Sequence, residues 1–255
     1  MRIDLNCDMG ESFGNYKIGM DEEVMKYITS ANIACGFHAS DPLVMDRTVA
    51  MAKENNVGVG AHPGFPDLMG FGRRNMDCTP AELKAYVTYQ IGALEAFCKV
   101  YGVKMAHVKP HGNLYLTAVE KEDVARAVAE AIVRVNPELH YVALAGKKGA
   151  MMTQIGREVG LKVVYEAFPD RAYTKEGTLV PRRQEGAVIH DPEVVSQRAL
   201  LMAKEGKVIS IDGTEIDLEV QTLCVHGDNA TAVELVKGIR ETLTKEGVEV
   251  KPMLD

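Results

Sequence analysis

Short apolar runs alternate with longer segments of helical periodicity from one end of the chain to the other, a rhythm that predicts parallel βα units. Strands are expected near 2–7, 31–35, 57–61, 104–108, 140–145, 162–166 and 221–225. Seven are visible, and an eighth would have to be degenerate. Helices are expected near 21–30, 42–56, 80–101, 121–135, 148–159, 192–205 and 229–246. Asp41-Pro42 and Asp191-Pro192 each place a side-chain oxygen at an N-cap and a proline at the first helical position, where its missing N–H costs nothing. Thr79-Pro80-Ala81-Glu82 adds the reciprocal glutamate of a capping box. The stretch VISIDGTEIDL breaks the rhythm: Asp212-Gly213 between alternating runs reads as a β-hairpin near 207–218, outside the main sheet.

Six of the apolar runs finish in groups that bind, titrate or donate hydrogen bonds. IDLNCDMGE ends in Asp8 and Glu11, NIACGFH in His38, and VGVGAHPGF in His62. MAHVKPH ends in Lys109 and His111, KVVYEAFPDR in Glu166, Asp170 and Arg171, and TLCVHGDN in His226, Asp228 and Asn229. In a (β/α) barrel every strand opens on one face, so these scattered endings would meet at one mouth. An open doubly wound sheet would bring together only the residues beside its switch point. Polar endings on nearly all strands favour closure, and the absence of any Pro/Gly/Ser-rich linker favours one barrel domain over 1–255.

Each ending leaves more than one chemistry open. Asp8 and Glu11 suit a general base, a metal ligand or a cap for the following loop. A hard divalent cation would accept Asp8 with His38 and His62, although no H-E-x-x-H spacing specifies one. Lys109 precedes Pro110, which biases it toward an extended conformation aimed at the mouth. It is either salt-bridged or an electrophilic donor to a developing negative charge. Asp170-Arg171 is either an internal ion pair or a clamp for a carboxylate. Arg73 and Arg74 in GFGRR, and the turn GKKG at 146–149, are glycine-flanked basic segments able to hold a phosphate; neither is a Walker A loop. His107, His140 and His190 take structural readings, because they lie inside a strand, at the start of one, and before a helix.

Composition narrows the field. A net charge of −7 without a basic stripe argues against nucleic acid. No apolar run approaches the roughly 18 residues of a membrane span, and the charged N-terminus MRIDLNCDMGE points to a cytoplasmic protein. Five cysteines without a C-x-x-C pair argue against a disulfide framework, and Cys7, Cys35 and Cys224 read as small core hydrophobes.

The blocks DLNCDMGESFG, ANIACGFHASDP, GAHPGFPDLMGFGRR, VKPHGNLY, EAFPDRAY, LVPRRQEGAVI and CVHGDN, in this order across residues 4–229, resemble the LamB/YcsF family. The resemblance implies a distorted TIM-like barrel of the glycoside hydrolase/deacetylase type with about seven main parallel strands. It also implies ATP-dependent cleavage of 5-oxo-L-proline to L-glutamate, with ATP, accompanied by Mg, as co-substrate and oxoprolinase subunits B and C as partners. The family's site then falls on Asp8, Glu11, His38, His62, Lys109, His111, Asp170, Arg171, His226 and Asp228. Two rival readings stay open: a stand-alone metal-dependent amidase or deacetylase, and a non-catalytic subunit that presents the lactam to a partner.

Overall fold

The computed structural model describes residues 1–225 and 231–253. Strands β1 (Arg2–Met9), β2 (Ser30–Ala34), β3 (Gly58–His62), β4 (Met105–Val108), β5 (His140–Leu144) and β6 (Lys162–Ala167) pair in sequence order, all parallel. Two short strands, β7 (Lys207–Ile209) and β8 (Glu215–Asp217), form a separate antiparallel pair. The main sheet resumes at β9 (Thr222–Val225), which pairs with both β6 and β1 and so closes a seven-stranded barrel. A two-residue strand, β10 (Glu249–Val250), adds beside Arg2 and Ile3 at the start of β1.

Helices α1 (Asp21–Val24), α2 (Pro42–Glu54), α3 (Pro80–Tyr101), α4 (Gly112–Glu120), α5 (Glu122–Val135), α6 (Ala150–Glu158), α7 (Pro192–Glu205) and α8 (Ala232–Lys245) alternate with the strands. The capping box of α3 and the aspartate caps of α2 and α7 form as their sequences require. Two expectations change. The helix expected over 21–30 stops at Val24, because the next residues are drawn into the sheet: the Thr29 N–H donates to Leu5 O at 2.8 Å, and Ser30 already belongs to β2. Helix α4 is an element that the sequence pattern does not separate from the polar ending after Lys109; it starts directly at Gly112, with His111 at its N-cap. Among the described residues no helix is long and apolar enough to cross a membrane.

Strand β1 explains how the barrel is filled. Ile3, Leu5, Cys7 and Met9 belong to the apolar core, while the alternate residues Asp4, Asn6 and Asp8 enter a buried polar network inside the barrel. His107 Nε2 bonds Asn32 Oδ1 at 2.7 Å, and Asn32 Nδ2 donates to Asn6 Oδ1 at 2.7 Å and Asp8 Oδ1 at 2.9 Å. Asn6 Nδ2 passes the chain to Thr222 Oγ1 at 2.6 Å and Glu166 Oε1 at 3.1 Å. Asp4 ends it by accepting from the hydroxyls of Ser30, Thr29 and Thr222. Burial pushes the Asp4 carboxyl up to about 6, and those three hydroxyls limit the rise. Gly60 is required by this filling, since a Cβ there would lie 2.1 Å from His107 Nε2.

Candidate active site

The strand ends at the C-terminal mouth converge on Lys109. Its chain direction is set by the sheet, with the Lys109 N–H donating to Ala61 O at 2.9 Å beyond the end of β4. The ammonium reaches back to Asp8 Oδ1 at 2.9 Å, Glu166 Oε1 at 3.0 Å and Cys224 Sγ at 2.9 Å, and the side chain is only 4% exposed. Burial opposes its charge; Asp8, the Cys224 sulfur and Glu166 outweigh that cost and hold its pKa well above the ordinary lysine value. Of the two readings open in the sequence, the salt bridge is formed in this structure.

Beside it lies a histidine cluster. Glu11, His38, His62 and His111 each offer one ligand atom, and these atoms all lie within 4.8 Å of one another. The His38 and His111 rings stack with centroids 3.6 Å apart and planes at 4°, while His62 stands at 90° to His111. His62 Nδ1 bonds Lys109 O at 2.7 Å, and His111 Nε2 bonds Phe71 O at 2.8 Å. Burial pushes the His38 and His111 pKa values well below the ordinary one, reinforced by the neighbouring histidines, so both rings are neutral at pH 7. Gly72, at φ +61°, lets the loop pass over the pair, for a Cβ there would lie 2.7 Å from His111 Cδ2 and 2.8 Å from His38 Cβ. Of the metal set expected from the sequence, Asp8, His38 and His62, the two histidines lie in this cluster with Glu11 and His111, while Asp8 stands beside it, its Oδ1 bonded by Lys109 and Asn32 and its Oδ2 3.3 Å from His62 Nε2.

Both clusters open into a cavity of about 680 Å³, whose wall includes Asp8, Glu11, His62, Lys109 and His111. Its outer side is formed by the segment between β6 and α7, through Thr178, Leu179, Val180, Pro181, Arg182 and Arg183. That strap is held by Arg171, whose Nε donates to Ala187 O at 3.2 Å and Nη2 to Val180 O at 2.6 Å. Arg171 also lines the cavity; burial first, then Arg182, lowers its pKa to about 10, and it stays charged at neutral pH. Asp170 and His38 are buried but do not line the cavity wall. The two GFGRR arginines separate. Arg73 lines the cavity with its guanidinium 4.9 Å from the Phe71 ring centroid, whereas Arg74 turns away into an ion pair with Asp67. Arg74 is not among the residues that line the cavity. GKKG forms a 3-10 turn with Lys147 and Lys148 exposed. His226 and Asp228 lie outside the described residues.

The LamB/YcsF family pattern matches residues 3–255. The chain belongs to the LamB/YcsF family. Among similar curated proteins, the A subunit of 5-oxoprolinase from Pyrococcus horikoshii is 57% identical over 253 residues, covering 99% of this chain and 98% of that protein. The corresponding A subunit from Clostridium beijerinckii is likewise 57% identical, over 252 residues covering 99% of this chain and 98% of that protein. The crystal structure of a lactam utilization protein from Thermus thermophilus superimposes with a TM-score of 0.93 at 48% identity, covering 98% of this chain and 99% of that one.

Several members of this LamB/YcsF site escape sequence reasoning. Glu166 reads in sequence as a strand ending without a role, yet it is the second carboxylate on Lys109. Cys224, which reads as a core hydrophobe, is fully buried and also touches the ammonium; burial pushes its thiol pKa well up. Asn6 and Asn32 are hidden inside runs that read as apolar. Their signal is the alternation Asp4, Asn6, Asp8 in IDLNCD, which marks a strand whose inner face is polar. Arg182 and Arg183, within LVPRRQEGAVI, reach the cavity because the strap folds over the mouth.

Proposed function

We propose that this chain is the A subunit of an ATP-dependent 5-oxoprolinase, in which 5-oxo-L-proline, ATP and water give L-glutamate, ADP and phosphate in a complex with subunits B and C. The observation that carries the reading is the 57% identity, along essentially the whole chain, to proteins named as the A subunit of 5-oxoprolinase. The cavity is consistent with it, since about 680 Å³ lies within the usual range for small-molecule sites and its wall combines carboxylates, imidazoles and arginines.

A five-membered lactam is a stable amide. Phosphorylation of its oxygen by ATP releases ADP and turns the carbonyl carbon into an electrophile; one water adds to that carbon and the C–N bond breaks, opening the ring to an acyl phosphate, and a second water hydrolyses that acyl phosphate to L-glutamate and phosphate. In this reading Asp8 or Glu11 assists the attacking water as general base, and Lys109 offsets the negative charge that gathers beside it. The substrate carboxylate and the transferred phosphoryl group fall to the cavity arginines Arg73, Arg171 and Arg182. Mg²⁺ would accompany the ATP phosphates. The chain has no G-x-x-x-x-G-K-[ST] loop, which favours an ATP site shared with, or borne by, a partner subunit.

The Glu11, His38, His62 and His111 cluster favours one competing reading, metal-assisted amide hydrolysis by the chain alone. One assay separates the two: glutamate release from 5-oxoproline by the chain alone and with subunits B and C, each with and without ATP. Release only with partners and ATP is the expected result. Release by the lone chain without ATP would overturn the coupled reaction.

A further inference from the structure

Hydrogen-bond accounting around the histidine cluster leads beyond the reaction. A backbone carbonyl only accepts, so the bonds to Lys109 O and Phe71 O assign the ring protons to His62 Nδ1 and His111 Nε2. With each ring carrying that single proton, the other nitrogens, His62 Nε2 and His111 Nδ1, face each other with lone pairs 3.0 Å apart. Asp8 Oδ2 lies 3.3 Å from His62 Nε2, and Glu11 Oε1 lies 3.5 Å from His111 Nδ1. Two imidazole lone pairs and two carboxylate oxygens confront one another in a nearly buried pocket. Without a cation this arrangement repels; around one it attracts.

We propose that Glu11, His62 and His111 hold a divalent transition-metal ion, with Asp8 beside it and His38 as a positioning residue. The spacing suits it. Ligands about 2.0–2.1 Å from a tetrahedral ion stand roughly 3.4 Å apart, and the pairs here are 3.0 and 3.5 Å apart. Glu11, His62 and His111 all line the cavity, so the remaining coordination position opens toward the substrate space.

His38 belongs to the cluster but not to the ligand set. A histidine binds a metal close to its own ring plane, and the His38 ring lies parallel to His111 with centroids 3.6 Å apart. An ion in the His111 plane therefore sits a stacking distance away from the plane of His38. His38 instead donates from Nε2 to Glu11 Oε1 at 3.3 Å, which leaves its Nδ1 as a buried lone pair without a hydrogen-bond partner. That nitrogen packs over Gly64, where a Cβ would come within 2.7 Å. The hydrogen bonds from His62 to Lys109 O and from His38 to Glu11 are the outer contacts that orient metal ligands. Imidazole with carboxylate and no thiolate selects Zn²⁺, Co²⁺ or Ni²⁺ over Mg²⁺ and Ca²⁺, which prefer all-oxygen sites.

The test uses the full chain, stripped with a chelator and titrated with Zn²⁺, Co²⁺ or Mg²⁺ by calorimetry and thermal unfolding. Its readout is metal binding, so it stands or falls independently of the oxoprolinase reading. One Zn²⁺ or Co²⁺ per chain is expected, with visible d–d absorption from bound Co²⁺, a Tm increase reversed by the chelator, and no displacement by millimolar Mg²⁺. His62→Gln and His111→Gln should each weaken Zn²⁺ binding by at least about 100-fold. His38→Phe keeps the stack and should weaken it by about 10-fold, the scale of losing an outer contact. His190→Gln, at an exposed position, should change nothing. Because a ligand variant can fail to fold, the wild-type titration decides first. No stoichiometric binding at micromolar metal would overturn the proposal, as would binding that His62→Gln and His111→Gln leave unchanged. A proton shared between His62 and His111 in metal-replete protein, seen by NMR, would also overturn it.

Discussion

Replacing Lys109 with methionine keeps most of the side-chain volume and removes only the charge, which isolates the electrostatic role of the ammonium. Asp8 Oδ1 and Glu166 Oε1 lie 2.9 and 3.0 Å from Nζ, so the two oxygens are within about 6 Å of each other. At an effective dielectric constant of about 20, two like charges at that distance repel by roughly 3 kcal/mol. Removing one partner from a buried ion pair typically costs about 3–5 kcal/mol, a range that includes this repulsion. Lys109→Met should therefore lose about 3–5 kcal/mol at pH 8, measured by urea unfolding at unchanged m-value. A loss under about 1 kcal/mol would refute the account of Lys109 as the charge that reconciles two carboxylates.

His107 supplies a pH test. Burial and the nearby Lys109 lower its folded pKa to about 3, against an ordinary value of 6.5 in the unfolded chain. Its stabilising contribution is complete above pH 6.5 and is lost as the pH falls toward 3, amounting to about 2 kcal/mol at pH 5. In His107→Gln, which keeps a donor for Asn32 but does not titrate, the stability deficit relative to wild type should shrink by about that amount between pH 7 and pH 5; a constant deficit would contradict the assignment. The two neighbouring arginines should behave differently. Arg73→Ala should lower kcat/KM of the assembled enzyme by at least about 10-fold with little change in Tm, the loss of one charged contact to substrate. Arg74→Ala, which removes a guanidinium that pairs with Asp67 and does not line the cavity, should leave kcat/KM alone. Equal kinetic losses in both variants would place Arg74 back in the site.

Much of the architecture is local and therefore written along the chain. The strand positions, the caps at Asp41, Thr79 and Asp191, and the polar residues that follow each strand depend on neighbours a few positions away. Apolar alternation and capping chemistry act at that range. Parallel strands closing on themselves then required Asp8, Glu11, His62, Lys109 and His111 to share one mouth.

Direction and pairing within the mouth were decided only by the tertiary structure. His38 and His111 are both strand-end histidines in sequence, but the stack turns one behind the other, and only His111 reaches the cavity. Arg73 and Arg74 are adjacent, yet Asp67 draws one of them away. Glu166 and Cys224 join Lys109 because β6 and β9, far apart along the chain, are neighbours in the closed barrel and pair through Glu166 and Thr222. No periodicity encodes such meetings. They follow from barrel closure and from which acceptor each buried proton finds, and these are properties of the whole packed chain.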